Sequence, residues 1–331
     1  MQIGDYRLEI IPDTEFRLDG GAMFGVVPRV LWERVSPPDE YNRIRMNMNC
    51  VFIDTGREKI LIETGIGEKW TAKESSIYGI FREKPLAETL FERTGCMADD
   101  ITIVVNTHLH FDHAGGNTIR RIAERTGTQA SRLHIAASAD GSADVVESSS
   151  PHAFGSRGVA GETPAFQSVP QFRNARYLVS ASELDHAQNA HERDRASYLP
   201  SNWEPLIESG QLELQPDDYE VVDGLKMQTV PGHSKTMQTW RLDRGGQTVY
   251  GFADLIPTRN HLALPWIMGY DLYPTETLEF KKRVLPEAIE NNWLCLFYHD
   301  IDSPLRTIKT ADGKLMSDEY NSGHSSELGK K

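Results

Sequence analysis

Residues 107–116 read Thr-His-Leu-His-Phe-Asp-His-Ala-Gly-Gly, which sets His108, His110, Asp112 and His113 within six positions directly after the apolar run 101–105. Imidazole nitrogens and carboxylate oxygens are the usual ligands of borderline divalent metals such as zinc, and a catalytic metal keeps a coordination position open for water. His108 and His110 are two apart in an extended segment and point the same way. Asp112 and His113, on the following turn, face another direction. Two directions predict two metals. A lone histidine here would be read as a helix cap or a polar loop residue, but four ligand-type side chains at one strand end constrain the chain far more tightly.

Composition limits the partners. The 331 residues carry 35 basic and 48 acidic side chains, a formal charge of −13, which repels a phosphate backbone and makes nucleic acid an unsuitable partner. Cys50, Cys96 and Cys295 are widely spaced and odd in number, so neither a disulfide framework nor a C-x-x-C knuckle is expected. The first residues lack a basic head followed by a long apolar core, and no run is long enough to span a bilayer. A cytoplasmic enzyme acting on a small molecule, with no membrane or nucleic acid partner, is the expectation; a homodimer is left open.

Along the chain, Tyr6, Leu8 and Ile10, then Phe16 and Leu18, alternate as two short strands joined by a Pro12-Asp13 turn. The Gly-rich segment 20–32, interrupted by Pro28 and Arg29, suits an ordered loop better than a helix. Residues 49–54 and 59–63 form a strand pair, and 85–93 a helix with Leu86, Leu90 and Phe91 on one face and Gly95 as its stop. Residues 119–126 can form a short helix, whereas 136–161 are too rich in Ser, Ala, Gly and Asp to bury much surface, so 119–166 is expected to be a surface insertion in a single domain spanning 1–331. His134 and His152, within it, are left out of the site, and His186 and His191 are taken as solvated. A strand over 175–179 runs into a helix with Ser180 and Glu183 at capping-box spacing. A short helix follows over 203–208, and a longer one over 276–290, which Pro286 can kink. The tail after 317 is polar and expected to be loose.

The second half repeats one pattern, an apolar strand ending in a ligand-type residue. Residues 227–230 lead to His233, 248–253 to Asp254, and 294–298 to His299. Singly these are weak signals, because a His after Pro-Gly is usually a turn residue and an Asp after a strand usually a cap. Together with the first motif, however, four strand ends deliver His or Asp to one edge of a sheet core, where α/β folds collect their ligand sites.

The H-x-H-x-D-H pattern at His108, His110, Asp112 and His113, with the three later strand ends, resembles the metallo-β-lactamase fold superfamily over nearly the whole chain. The resemblance implies an α/β protein, a four-layer αββα sandwich with its site at one edge of the sheets. It also implies that His108, His110 and His233 hold one metal, that Asp112, His113 and His299 hold a second, and that Asp254 bridges them. The layout, including Gly-Gly-Ala-Met-Phe-Gly at 20–25 and Asp-Leu-Ile-Pro at 254–257, is most similar to the branch of N-acyl homoserine lactonases and organophosphate hydrolases. Those lactonases place a Tyr shortly after the bridging Asp. This chain has Pro257 and Thr258 there, with Tyr250, Tyr270 and Tyr273 as alternatives.

What the resemblance implies chemically is a hydrolase with two divalent ions, zinc first and manganese, cobalt or iron as alternatives, whose bridging hydroxide opens a lactone or a related small ester. Asp112 would carry the proton from nucleophile to leaving group. Phosphotriesters and β-lactams are alternative substrates for the same site, and an iron-binding oxidative protein is the alternative of another class. Met23, Phe24, Trp266, Met268, Tyr270 and Tyr273 offer an apolar and aromatic lining for a neutral substrate, and His261 a supporting or substrate contact.

Overall fold

The computed structural model describes residues 1–122 and 166–320. The first half contains β1 (Gln2–Ile3), β2 (Tyr6–Asp19), α1 (Gly20–Phe24), α2 (Arg29–Trp32), β3 (Arg43–Asp54), β4 (Lys59–Ile62), α3 (Ala72–Ile77), α4 (Leu86–Thr94), β5 (Ile103–Val105) and α5 (Phe111–Ala114). Then follow β6 (Thr118–Ile122), β7 (Phe166–Pro170), β8 (Arg176–Ser180), α6 (Ala181–Gln188), α7 (Glu204–Glu208) and β9 (Leu212–Gln215). The second half has β10 (Asp218–Val222), β11 (Leu225–Thr229), β12 (Gln238–Arg244), β13 (Gln247–Gly251), α8 (Pro274–Glu290), β14 (Leu294–Leu296), β15 (Leu305–Ala311) and β16 (Lys314–Glu319). The chain divides into one compact unit made of residues 1–119 and 168–331 and a second made of 120–167. His134, His152, most of the expected insertion and the tail from 321 lie outside the described residues.

Two seven-stranded sheets organise the larger unit, β1-β2-β3-β4-β5-β8-β9 and β10-β11-β12-β13-β14-β15-β16. The first is antiparallel as far as β4 and parallel from β4 through β9; the second is antiparallel except for the parallel β13–β14 pair. The main core joins side chains of both sheets, among them Phe16, Met46, Ile62, Met227, Trp240 and Leu296, to Phe280, Val284 and Leu285 of α8. A second cluster seats Leu86 and Leu90 of α4 against Phe52, Leu61 and Val104. Each leucine so buried contributes about 1.5–3 kcal/mol. Helices thus cover the paired sheets, giving the expected αββα sandwich.

Several local expectations are corrected. β2 is continuous, and the Pro12-Asp13 step is a bulge in its pairing with β3 rather than a turn. Asp13 explains it: its buried carboxylate accepts from Ile66 N (2.9 Å) and from the Arg82 guanidinium (2.6 Å), so the local backbone follows the side chain inward. Residues 20–32 are two short helices instead of a loop, because Asp19 caps Ala22 N at 2.8 Å and Pro28 precedes the first turn of α2. Phe91 faces solvent although Leu86 and Leu90 are buried. Thr118–Ile122 is a strand where a helix was expected from 119. β16 continues to Glu319, past the point where a loose tail was expected. Helix α8 runs through Pro286 to Glu290.

Candidate metal centre

The ligand-type residues converge from both sheets. β5 ends at Val105, and the chain then passes His108 to α5, whose first residues follow His110 and which carries Asp112 and His113. His233 follows β11, Asp254 follows β13, and His299 follows β14. Gly115 and Gly116 let this turn press against the chain leaving β4: a Cβ on Gly115 would lie 2.2 Å from Ile66 O, and one on Gly116 2.1 Å from Thr64 O. No other residue fits that approach.

One donor atom each from His108, His110 and His233 lies within 4.8 Å of the others, and the same holds for Asp112, His113, Asp254 and His299. Asp254 joins the two groups. Its Oδ1 stands 3.1 Å from both His113 Nε2 and His299 Nε2, while its Oδ2 faces His233 Nε2 at 3.5 Å. Asp112 Oδ2 is 3.7 Å from His299 Nε2, and His110 Nδ1 is 3.1 Å from His233 Nε2. All seven side chains are buried.

Most of the rings are oriented by the nitrogen that faces away from this centre. His233 Nδ1 meets Asp271 Oδ1 at 3.1 Å, and Thr277 Oγ1 donates to the other Asp271 oxygen at 2.7 Å. His299 Nδ1 donates to Asn47 O at 2.9 Å. His113 Nδ1 lies 3.3 Å from Glu63 Oε1, and His108 Nδ1 lies 3.0 Å from Thr107 Oγ1. The hydrogen bonds at His233, His299 and His108 set the tautomer and leave a lone pair on the inner nitrogen. Glu63 and Asp271 are the residues that sequence reasoning missed. Glu63 is fully buried, holds a left-handed φ of 65°, and accepts from Thr107 N (3.1 Å) and the Thr107 hydroxyl.

Burial first, and then the neighbouring rings, hold His108 and His110 well below the usual imidazole pKa, so both are neutral as a ligand requires. For His113 burial works the same way, but the carboxylates of Asp254, Glu63 and Asp112 outweigh it and raise the pKa. Burial would raise Asp254; the rings of His113 and His299 outweigh that and hold its carboxyl well below the carboxylate range. Concentrated carboxylates and imidazoles with buried, unbonded nitrogens on His108 and His110 (both Nε2) match the donor chemistry of a divalent metal pair.

A cavity of about 200 Å³ opens over this centre. It is lined by Met23, Leu18, Phe111, Met268, Tyr78 and Tyr270 beside His110, Asp112, His233, Asp254 and His299, with Arg193 among the lining residues. Of the expected substrate contacts, Met23 and Tyr270 line it. Phe24, Trp266 and His261 instead form a layer behind: Phe24 is fully buried between Trp32 and His261, with ring centroids at 5.3 and 4.6 Å, and Trp266 stands edge-on to it. His261 is bonded to the Thr258 hydroxyl (2.7 Å) and Met23 O (2.9 Å). Tyr250 is buried against Trp293, and Tyr273 caps α8, so neither lines this cavity. His186, expected in solvent, is half-buried and paired with Asp194 at 2.8 Å. A larger cavity, about 480 Å³ between α8 and β10–β13, gathers charged side chains, none of which belongs to a metal-type cluster among the described residues.

Residues 44–148 match the family described as the metallo-beta-lactamase superfamily. The chain is 23% identical over 207 residues to an N-acyl homoserine lactonase of Bacillus cereus, spanning 60% of this chain and 59% of that enzyme. It is 22% identical over 273 residues to one of Bacillus thuringiensis, spanning 76% and 81%. Among solved structures, a probable metal-dependent hydrolase from Staphylococcus aureus superposes with a TM-score of 0.74 at 25% identity, covering 97% of this chain and all of that one. AidC, a dizinc quorum-quenching lactonase in complex with a homoserine product, superposes at 0.67 with 17% identity, covering 97% and 96%.

Proposed function

We propose that this metal-dependent hydrolase of the metallo-β-lactamase superfamily opens lactones and related small esters at a dinuclear centre held by His108, His110 and His233 on one side, Asp112, His113 and His299 on the other, and Asp254 between them. The observation that carries this reading is Asp254, which turns one oxygen to each donor group beneath a partly apolar cavity. Two divalent ions, zinc first, would supply a water that ionises near neutral pH and a Lewis acid for the substrate oxygen.

The protein residues do the rest. Asp112 lines the cavity with its Oδ2 3.7 Å from His299 Nε2, and its carboxylate could take a proton from water and pass it to a leaving alkoxide. Met23, Leu18, Phe111 and Met268 form the apolar side of the cavity. Burial first, then the charge on Asp112 among its neighbours, raises the pKa of Tyr78, so its hydroxyl stays protonated and able to donate to a substrate oxygen. Tyr270, pushed up to about 12 chiefly by burial, shares that ability. These phenols stand in for the Tyr that this chain lacks after Asp254. The volume, about 200 Å³, is below the range for drug-sized ligands and suits a small ring or ester head.

Support from the relatives lies in their names: the Bacillus enzymes and AidC are lactonases of acyl homoserine substrates. The test is elemental analysis of protein purified without added metal, with hydrolysis of lactone, aryl ester, phosphotriester and β-lactam panels before and after chelation. Chelator-sensitive lactone or ester cleavage with close to two zinc ions per chain supports the reading. Iron with oxygen uptake and no hydrolysis overturns it.

A further inference from the structure

Helix α8 carries a lysine where a core residue is expected. Lys281 is fully buried, one turn beyond Thr277, and its Nζ donates to the backbone carbonyls of His261 (2.6 Å), Ala263 (2.6 Å) and Trp266 (3.0 Å), with Leu264 O at 3.3 Å. Among the described residues no carboxylate forms an ion pair with it. A neutral amine has two N–H donors and a lone pair that would face an oxygen, whereas an ammonium has three donors for this ring of acceptors. Burial draws the pKa of Lys281 down to about 7, against the charge of Asp271, which raises it.

The ring of carbonyls shapes the segment that continues into the site. His261 bonds Met23 O and stacks on Phe24, and Trp266 stands edge-on to Phe24. Gly269 N donates to Ala22 O at 2.7 Å, Met268 and Tyr270 line the cavity, and Asp271 backs His233. Thr277, on the same face of α8, holds the other oxygen of Asp271. Within the segment Trp266 N donates to Ala263 O and Asp271 N to Met268 O, and the Lys281 amine gathers four of its carbonyls at one point.

We propose that Lys281 is a tethered cation around which residues 261–271 are wound, and that it acts as a positioning residue for hydrolysis by fixing the Met23–Met268–Tyr270 wall and the hold of Asp271 on His233. The positioning role rests on the hydrolase reading above; the tethered-cation role does not. In Lys281→Ala the missing atoms correspond to propylammonium, so the variant should contain a vacant carbonyl-lined cation site.

The experiment uses the full chain. Lys281→Ala is expected to raise KM for a cleaved lactone or ester roughly tenfold, the lower end of what loss of an orienting partner costs, with kcat less affected. Its thermal midpoint should fall and be restored by propylammonium, but not by 1-propanol or tetramethylammonium. Equal rescue by 1-propanol would mean that volume and not charge is missing, and would overturn the proposal, as would wild-type stability and KM in Lys281→Met. Should neither variant fold, NMR of wild-type protein labelled with ¹⁵N-lysine decides: an ammonium with slowly exchanging protons at pH 6, absent from Lys281→Arg, is expected, and a neutral amine overturns it. The stability and NMR measurements need no substrate, so a failure to find any hydrolysis would sink the hydrolase reading while these results still judge Lys281.

Discussion

Replacing Glu63 by glutamine changes one atom in a fully buried network and should be felt at the metal centre. Glu63 Oε1 receives Thr107 N at 3.1 Å and the Thr107 hydroxyl and lies 3.3 Å from His113 Nδ1; Oε2 receives Asn106 Nδ2 at 3.3 Å. A glutamine can keep an oxygen at the first position, but its amide nitrogen then faces the Asn106 nitrogen. Asn106 cannot simply turn over, because its Oδ1 accepts from Asn117 Nδ2 at 2.9 Å. Bonds to a charged acceptor are worth about 1.5–3 kcal/mol and neutral ones about 1, so two weakened bonds and one donor clash cost about 2–5 kcal/mol. Relief of a buried charge offsets part of this, leaving a net loss of about 1–3 kcal/mol. Denaturant unfolding of metal-free Glu63→Gln measures it. Competition with a chelator should in addition show metal affinity lower by roughly 10–100-fold, because His113 loses the carboxylate that makes it a better donor. A stability change below about 0.5 kcal/mol together with unchanged metal affinity would refute the reasoning.

Removal of single donors should be read by elemental analysis: His233→Ala and Asp254→Ala are each expected to lower metal content, Asp254→Ala the more because it serves both groups, and full occupancy in either refutes the ligand set. Asp112→Asn should reduce kcat at least about 100-fold if it moves the proton, measured at saturating metal; an unchanged kcat assigns that step elsewhere. Tyr78→Phe and Tyr270→Phe should raise KM by roughly tenfold or less, the worth of about one hydrogen bond, and a pair of silent variants would remove the phenols from substrate binding. Acid should loosen the wall through His261, whose pKa is drawn down to about 3 by burial against its usual value of 6.5. The folded state then binds fewer protons than the unfolded between pH 6.5 and 3, so stability falls as pH falls through that window, by up to about 1.4 kcal/mol per unit. Urea midpoints from pH 7 to 4 should show a shallower decline in His261→Phe; parallel curves would mean that another group carries the acid sensitivity.

The clustering of the candidate ligand positions was legible because each lies where a periodic apolar run stops, a signal carried by neighbouring residues. The supports were not. Glu63 is one acid among 48 and ends its strand as Asp54 does; only the return of β5 alongside β4 puts His113 beside it. Asp271 and Lys281 matter through partners 38 and 20 positions away, a separation no local pattern encodes. The aromatic lining was misassigned in depth and not in neighbourhood: Phe24 and Trp266 do belong to the wall of the site, but the stacking of Phe24 between Trp32 and His261 puts them one layer back. The α1 helix had a readable cue in Asp19 ahead of the glycines, which the Gly-rich composition outweighed. At Pro12 the proline suggested a turn, whereas a strand accommodates it at a bulge, where no ladder bond is lost.

Four of the seven donors sit on the chain leaving the first sheet and three on loops leaving the second. Two metal ions held by all seven would therefore clasp the halves of the sandwich, and their binding free energy would be available only when the halves are docked. Mass action then makes the free-ion concentration a control on how often they part, so that scarcity of metal would shorten the working life of the protein as well as silence it.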